Sequence, residues 1–209
     1  GGSGSAFLCL MSQSPIDFKY LREEAKAGRM GQRLMAVVAE GNRGRIYLSP
    51  ISSQEEIVQN LKPYWKPETE LPERALGFRV QEYGMRAWSD LFTPRQLVAL
   101  TTFSDLVPEA IRRIRADALA AGMADDGRGL DAGGNGATAY AEAVGVYLGF
   151  AVDKCSDYWS SICTWHSSGE KMRNTFGRQA IPMTWDYAEA NPMCESSGNW
   201  MAMVDWSWK

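Results

Sequence analysis

The sequence is poor in the side chains that build structural metal sites. It contains one histidine, His166, and four cysteines at wide spacings, Cys9, Cys155, Cys163 and Cys194, with no Cys-x-x-Cys pair. A structural zinc site needs four closely arranged Cys or His ligands. This pattern therefore favours free thiols in a reducing compartment.

Long hydrophobic runs are also absent. No stretch free of both charged residues and turn-formers approaches the ~20 residues of a membrane-spanning helix, and no basic-then-apolar leader opens the chain. The cytoplasm is the expected location. The first five residues, Gly1-Gly2-Ser3-Gly4-Ser5, resemble an engineered linker or tag. With 45% apolar residues, the remaining residues 6–209 are expected to form a single domain.

The chain lacks an excess of positive charge. Its 22 basic and 25 acidic residues give a net charge of −3, which does not attract nucleic acid. Residues 17–45, however, hold seven basic against four acidic residues, a local charge of +3. The candidates for DNA contact in this segment are Arg29, Arg33, Arg43 and Arg45. A solvated face of mixed charge is the alternative interpretation.

In the first half of the chain, residue patterns predict short elements. Residues 16–27 have the spacing of a short helix, and strand formers around a glycine-containing loop predict a β-hairpin within residues 34–48. Serines followed by glutamates predict a capped helix over residues 52–61. The proline-containing segment 63–92 is expected to be irregular, with one possible strand at residues 77–81.

The second half predicts longer helices. Thr93-Pro94-Arg95-Gln96 has the form of a capping box, and Pro108 is expected to kink or split the following helix into residues 94–107 and 109–121. A central helix over residues 137–165 is predicted by an apolar stripe at spacings of three and four, formed by Tyr140, Val144, Leu148, Ala151, Cys155, Trp159 and Ile162.

Apolar residues also lie off this stripe. Val146 and Phe150 predict that the central helix is covered on more than one side. A further helix is expected at residues 182–190, ending near Pro192. The expected fold class is mainly α with a small β-hairpin, an α+β arrangement.

Three local motifs could have a functional role, but a structural role is favoured for each of them. Gly133-Gly134-Asn135-Gly136 precedes a helix as anion-binding loops do, but no strand comes before it, so a flexible linker is favoured. Asn191-Pro192-Met193-Cys194 lacks the second proline and the aromatic residue of a methyltransferase motif, so a helix-terminating Asn-Pro is favoured. His166 is expected to cap a helix C-terminus rather than to act as a general base, and most tryptophans are expected in the core.

Three ordered blocks of sequence carry a family resemblance. The first runs from Ala27 to Leu48, and the second covers Pro67-Glu68-Thr69-Glu70-Leu71-Pro72, Leu76–Gln81 and Leu91–Val107. The third comprises Tyr158-Trp159-Ser160-Ser161, Phe176–Met183, Trp185-Asp186, Ala188–Pro192 and Ser196–Trp200. Together they resemble the middle region of large prokaryotic adenine-specific DNA methylases that contain a zinc ribbon and an N-terminal domain of unknown function.

The resemblance implies a fragment or inserted domain of a class I methyltransferase. In that family an Asp-Pro-Phe-x-Gly-Gly-Gly loop for S-adenosylmethionine lies upstream and an Asp-Pro-Pro-Tyr motif lies downstream, and neither occurs in these 209 residues. The chain would be an insert between the cofactor-binding and catalytic motifs, without catalytic, cofactor-binding or metal-binding residues of its own. S-adenosylmethionine would be the cofactor of the parent adenine-N6 methyltransferase.

For function, the resemblance implies target recognition or DNA holding by a chain that is inactive by itself. Its implied partners are DNA, the remaining parts of the methylase and other proteins of a phage-defence or restriction-modification locus, with no membrane partner. A structural insert without DNA contact is the alternative, and an independent enzyme is a third hypothesis. One departure concerns zinc: relatives often have a Cys-x-x-Cys half-site where this chain has Cys9-Leu10-Met11-Ser12. The serine puts zinc binding by the parent protein in doubt.

Overall fold

The structure is a computed structural model that describes residues 7–209, with no description of the side chains at positions 58 and 59. The linker expected at residues 1–5 lies outside the described residues, as does Ala6. A single domain was expected over residues 6–209, whereas the chain divides into two compact units. The described part of unit 1 comprises residues 7–61, 67–91 and 176–185, and unit 2 comprises residues 62–66, 92–175 and 186–209.

Within residues 7–209 the protein is a mixed α/β structure with five α-helices and three two-stranded antiparallel sheets. Unit 1 contains β1 (Phe7–Leu8), β2 (Pro15–Ile16), α1 (Phe18–Lys26), β3 (Val37–Gly41), β4 (Gly44–Leu48) and α2 (Ser52–Gln59). Unit 2 contains α3 (Pro94–Ala120), α4 (Ala137–Tyr158), β5 (Thr164–His166), β6 (Lys171–Arg173) and α5 (Trp200–Trp208). None of the helices in this described part is long and apolar enough to cross a membrane.

The elements predicted for the start of unit 1 are confirmed. The Asp17 carboxylate caps α1 by accepting from the Tyr20 N–H at 2.7 Å, and the helix ends before Gly28, which has a φ of +69°. The hairpin forms with β3 antiparallel to β4 and with Glu40 opposite Arg45. Only two residues, Asn42 and Arg43, lie between β3 and β4 in the sequence, and they form the connecting turn.

The strand predicted at residues 77–81 is wrong. The chain there enters a 3₁₀ helix at Val80–Tyr83, and a second 3₁₀ helix covers Trp88–Leu91. The Arg79 N–H donates to the Ile181 carbonyl, and Val80 is fully buried. Burial of the Val80 side chain in a single turn explains its apolar character without a strand.

In unit 2, α3 begins with the predicted capping box but does not break at Pro108. The Thr93 hydroxyl accepts from the Gln96 N–H, the Gln96 side chain accepts from the Thr93 N–H at 2.8 Å, and the helix continues to Ala120. The clean break expected between residues 94–107 and 109–121 is therefore wrong, while the alternative, a kink at Pro108 within one continuous helix, stays a prediction. Because buried Leu97 and Ala118 lie on the two sides of Pro108, packing stabilises both halves, and the loss of one backbone hydrogen bond is tolerated.

The central helix is shorter than the predicted range 137–165. It ends at Tyr158, because the Asp157 carbonyl accepts from the Thr175 N–H at 2.7 Å and from the Thr175 hydroxyl at 2.8 Å. The chain then forms the β5–β6 hairpin, in which Thr164 pairs with Arg173. Trp159 and Ile162 are buried as the stripe predicted, but they lie beyond the helix.

The predicted orientation of α4 is also wrong at its N-terminal end. The buried residues there are Ala137, Ala139, Ala141 and Gly145, whereas Tyr140 is 49% exposed. A Cβ atom built on Gly145 would lie 2.5 Å from the Ile111 Cδ1, so the two helices meet where one of them has no side chain. Large residues cannot occupy so close a contact, and they lie on the outside of α4 instead. Val146 and Phe150 are accordingly 47% and 56% exposed, so these two residues do not mark a second covered side, although α4 packs against both α3 and α5.

The C-terminal part of unit 2 differs from the prediction as well. Residues 182–190 form no helix; Tyr187 instead makes an isolated bridge with Thr164. The tryptophan-rich tail is helical, with Asn199 capping α5 by accepting from the Ala202 N–H at 2.8 Å. The hydrogen-bonding side chain of Asn199, rather than the apolar pattern, marks the last helix.

Trp159 lies at the centre of the core of unit 2. It is 1% exposed, its indole N–H donates to the Gly198 carbonyl at 2.6 Å, and its ring centroid lies 5.5 Å from that of Phe103. Neighbouring Cys155 is fully buried, and this burial raises the pKa of its thiol to about 12. All four cysteines are free thiols.

We predict opposite effects for two glycine-to-alanine changes in α4. Gly145→Ala forces the Ile111 side chain to move and should lower the free energy of unfolding by about 1 to 2 kcal/mol, since overpacking outweighs the better helix propensity of alanine. Gly149→Ala is the matched control, because nothing lies within 4 Å of its Cβ position. It should raise the free energy of unfolding by about 0.5 to 1 kcal/mol. Urea melts measure both values, and stabilisation by Gly145→Ala would contradict the close helix contact.

We predict that Trp159→Ala lowers the free energy of unfolding by roughly 3 to 5 kcal/mol, because it removes a large buried side chain. Trp159→Phe keeps a ring but leaves the Gly198 carbonyl without its donor, and should cost roughly 1 to 3 kcal/mol. The difference between the two variants in urea melts separates packing from hydrogen bonding. A loss below about 0.5 kcal/mol for Trp159→Ala would exclude the buried position.

Candidate nucleic-acid interface

The β3–β4 hairpin positions the predicted DNA-contact residues of unit 1. Arg43 lies in its turn, Arg45 on β4, and Arg33 in the segment without regular secondary structure that precedes β3. The Leu34 N–H donates to the Glu55 carboxylate at 3.0 Å, which fixes this segment to α2. Gly44 follows the turn with a φ of +131°, a conformation that residues with a Cβ rarely adopt.

Two of the four candidate arginines are engaged in ion pairs. Arg29 donates two hydrogen bonds of 2.7 Å to the Glu24 carboxylate, and this contact lowers the pKa of Glu24 and raises that of Arg29. Arg45 donates to Glu40, its partner across the hairpin, at 2.8 Å. These pairs neutralise the charge that each arginine would offer to a phosphate.

The other two candidates are exposed and make no ion pair within the described part of the chain. These are Arg33 and Arg43. Lys19 and Lys26 on α1 are likewise exposed cations without a salt bridge to any described residue. The local positive charge of residues 17–45 is thus concentrated on four side chains rather than on all seven basic residues.

The turn at Cys9 does not fit a zinc site. Cys9 and Ser12 lie in the connection between β1 and β2, and the pKa of the Cys9 thiol is lowered by hydrogen bonds from the Ser12 hydroxyl and from the N–H groups of Ser12 and Met11. The hydroxyl therefore stands where a second thiolate would be needed. Residues 7–209 contain no group of three or more potential metal-binding side chains.

The glycine-rich loop of unit 2 is held by hydrogen bonds, which contradicts the expected flexible linker. The Asp125 carboxylate accepts from the Thr138 N–H and the Gly127 N–H, both at 3.1 Å, and from the Thr138 hydroxyl at 2.8 Å. A second carboxylate, Glu142, accepts from the Leu130 N–H at 2.6 Å. Near the start of α4, the Thr138 N–H therefore already binds a carboxylate of the chain, and the Ala137 N–H donates to the Ala124 carbonyl.

His166 and Asn191 do not occupy the helix ends predicted for them. His166 lies on β5, where its Nδ1 accepts from the Gly169 N–H at 2.9 Å. Asn191 forms a turn, with its side-chain oxygen accepting from the Met193 N–H at 3.0 Å. Both side chains stabilise local turns.

Sequence reasoning missed exposed cations in unit 2, among them Arg112 and Arg113. Arg112 and Arg113 lie on α3 and make no ion pair with any residue of the described ranges, whereas Arg115 binds Asp125 at 2.9 Å. The run Arg112-Arg113-Ile114-Arg115 is a signal that could have identified them. The acidic residues Glu109 and Asp117 flank this run and leave that part of α3 with only a weak positive charge.

Comparisons with protein-family models, with curated proteins and with solved structures find no match for this chain.

We predict that Asp125 stabilises the fold only above acidic pH. Hydrogen bonds from the Thr138 hydroxyl and N–H and from Arg115 lower the pKa of Asp125 from 3.8 to about 2. Because the folded-state pKa lies below the unfolded one, this stabilisation is present above pH 3.8 and is lost as the pH falls towards 2. Asp125→Asn should be less stable than the wild type at neutral pH, with a difference that narrows below about pH 4.

Urea melts between neutral pH and about pH 3 measure this dependence. Asp131→Asn is the control, since this exposed carboxylate of the same loop makes no hydrogen bond to a described residue. A constant difference between the wild type and Asp125→Asn at every pH would contradict the assignment.

Proposed function

We propose that this chain is an internal, DNA-holding region of a prokaryotic S-adenosylmethionine-dependent adenine-N6 DNA methyltransferase and is inactive by itself. It would lie between the cofactor-binding and catalytic motifs of the parent protein, with DNA, the rest of the methylase and proteins of a defence locus as partners. The ordered resemblance over most of the chain supports the family. It does not by itself support contact with DNA.

One observation carries the DNA-holding role. Arg33 and Arg43 are exposed, lie on or next to a hydrogen-bonded hairpin, and are not neutralised by a described carboxylate. Arginines presented on such a scaffold can bind phosphates without first breaking an internal ion pair. Since the chain has a net charge of −3, any attraction to DNA must come from such a local surface.

A structural insert without DNA contact is the second candidate. The same hairpin exposes apolar side chains, with Val38 at 39%, Ile46 at 44% and Leu48 at 47%. A two-stranded hairpin is marginally stable in water and is normally covered by other elements. The rest of the methylase would supply that cover.

We predict that Arg33→Ala with Arg43→Ala weakens binding of this chain to duplex DNA. The slope of log affinity against log salt should fall by up to about two, one for each lost phosphate contact. The matched control is Glu40→Ala with Arg45→Ala, which removes one ion pair and leaves the net charge unchanged. This control should change the slope by much less than one.

Filter binding at several salt concentrations measures both affinity and slope. An unchanged affinity and slope in the Arg33 and Arg43 variant would favour the structural insert, because the hairpin would then face protein or solvent.

A further inference from the structure

The β5–β6 hairpin of unit 2 carries a group of hydrogen-bond donors on the face turned away from the core. In its register Thr164 pairs with Arg173, and His166 pairs with Lys171. Because partners across an antiparallel ladder share a face and successive residues alternate, these four side chains lie on one face. The residue pair between them packs against the core of unit 2. We call Thr164, His166, Lys171 and Arg173 the hairpin face.

Both cations of the hairpin face are exposed and are not neutralised. Lys171 and Arg173 make no ion pair with a described residue. Of the acidic residues in neighbouring segments, Glu170 lies in the turn outside the ladder, and Glu189 is bound by Arg95. Like charges close together on one face of a sheet repel each other, so the arrangement is unfavourable by itself. A bound anion would remove this repulsion.

The imidazole of His166 is oriented by the hairpin turn. Its Nδ1 accepts from the Gly169 N–H at 2.9 Å, which in the neutral ring places the proton on Nε2. A Cβ atom built on Gly169 would lie 2.6 Å from this Nδ1 and 3.5 Å from the Lys171 Cε. The ring and the end of the lysine side chain therefore lie against the same residue. The Nε2–H adds a neutral donor to the two cations of the face.

The chemistry and the shape of the hairpin face fit the phosphates of a nucleic acid backbone. Cationic side chains and N–H donors are the groups that bind phosphate oxygens. They lie here on an exposed pair of strands, whereas a small phosphate compound is normally held in a concave site. A polyanion needs no such enclosure, because it contacts several cations at once. Lys171 and Arg173 are two residues apart, roughly 7 Å along the strand, so each can contact a phosphate of its own.

We propose that the hairpin face of unit 2 binds the phosphate backbone of duplex DNA, as a second contact surface besides Arg33 and Arg43 of unit 1. This inference rests on the proposed DNA-holding function and extends it to the second unit. Because backbone phosphates are the same at every step of the duplex, binding by this face is independent of base sequence.

Filter binding of the chain to duplex DNA at several salt concentrations tests the proposal. Lys171→Ala with Arg173→Ala should weaken binding roughly tenfold or more at about 0.1 M salt and lower the salt slope by up to about two. The matched control is Lys62→Ala with Lys66→Ala. These two exposed lysines belong to the same unit and make no ion pair with a described residue. The control should change the slope by much less than one, and urea melts check that both variants fold.

His166 provides a local probe of the same face, because it is the only histidine of the chain. In a sample labelled with ¹³C-histidine, the imidazole NMR signals report on the hairpin alone. Duplex DNA should shift these signals saturably, and the shift should disappear in the variant that lacks Lys171 and Arg173. It should persist in Arg33→Ala with Arg43→Ala, once the DNA concentration is raised to compensate for the weaker affinity.

These variants separate the inference from the proposed function. If only Arg33→Ala with Arg43→Ala weakens binding and DNA leaves the imidazole signals unchanged, the inference is overturned and the DNA-holding function stands. A chain that binds no duplex DNA overturns both, and imidazole signals that respond to pyrophosphate but not to DNA overturn the inference. Saturable shifts with DNA, lost together with affinity in Lys171→Ala with Arg173→Ala, would support it.

Discussion

The close contact between α3 and α4 at Gly145 constrains the rest of unit 2. A Cβ atom at this position would lie 2.5 Å from the Ile111 side chain, so Ile111 packs directly against the backbone of α4 and would have to shift if Gly145 were replaced. The neighbouring buried positions of α4, Ala137 and Ala141, are small for the same reason. Because small residues fill this part of the inner face, the large apolar side chains of Tyr140, Val146, Tyr147 and Phe150 lie outside the core. Their exposure is a consequence of the tight contact and not of a loosely packed helix.

The start of α4 depends on a carboxylate that lies outside the helix. Its N-cap, Gly136, has no side chain to accept from the first N–H groups, and Asp125 takes this role from the preceding loop. Arg115 binds the same carboxylate from α3, so one side chain connects the loop and both helices. The close approach of the two backbones requires glycine at position 136, because a Cβ on Gly136 would lie 2.5 Å from the Asp125 Cα. The motif that resembles an anion-binding loop therefore binds a carboxylate of the same chain, that of Asp125.

The sequence predicted correctly the boundaries that depend on neighbouring residues. The predictions were wrong where residues distant in the sequence determine a boundary. Asp17, Thr93 and the hairpin turn each determine a boundary through neighbours within a few positions, and those boundaries are confirmed. The end of α4 depends on Thr175, which lies 18 residues beyond Asp157, and no local pattern marks it. The rotation of α4 failed for a related reason, since a hydrophobic stripe indicates the buried face only when the partner helix leaves room for large side chains. Methods that weigh size as well as polarity would have favoured the row of Ala137, Ala141 and Gly145.

Prediction of the DNA-contact residues from sequence had a similar limit, because the pairing of charges depends on the fold. Counting residues gave a positive segment, but a count cannot tell which cations remain free after the chain has folded. Arg45 faces Glu40 because the hairpin register places them opposite each other, and Arg29 reaches Glu24 across the end of α1. Arg43 forms no such ion pair with a described residue, because it lies in the turn and has no cross-strand partner in the β3–β4 ladder. The DNA-holding proposal therefore depends on the exposed and unpaired Arg33 and Arg43 more than on the local excess of charge.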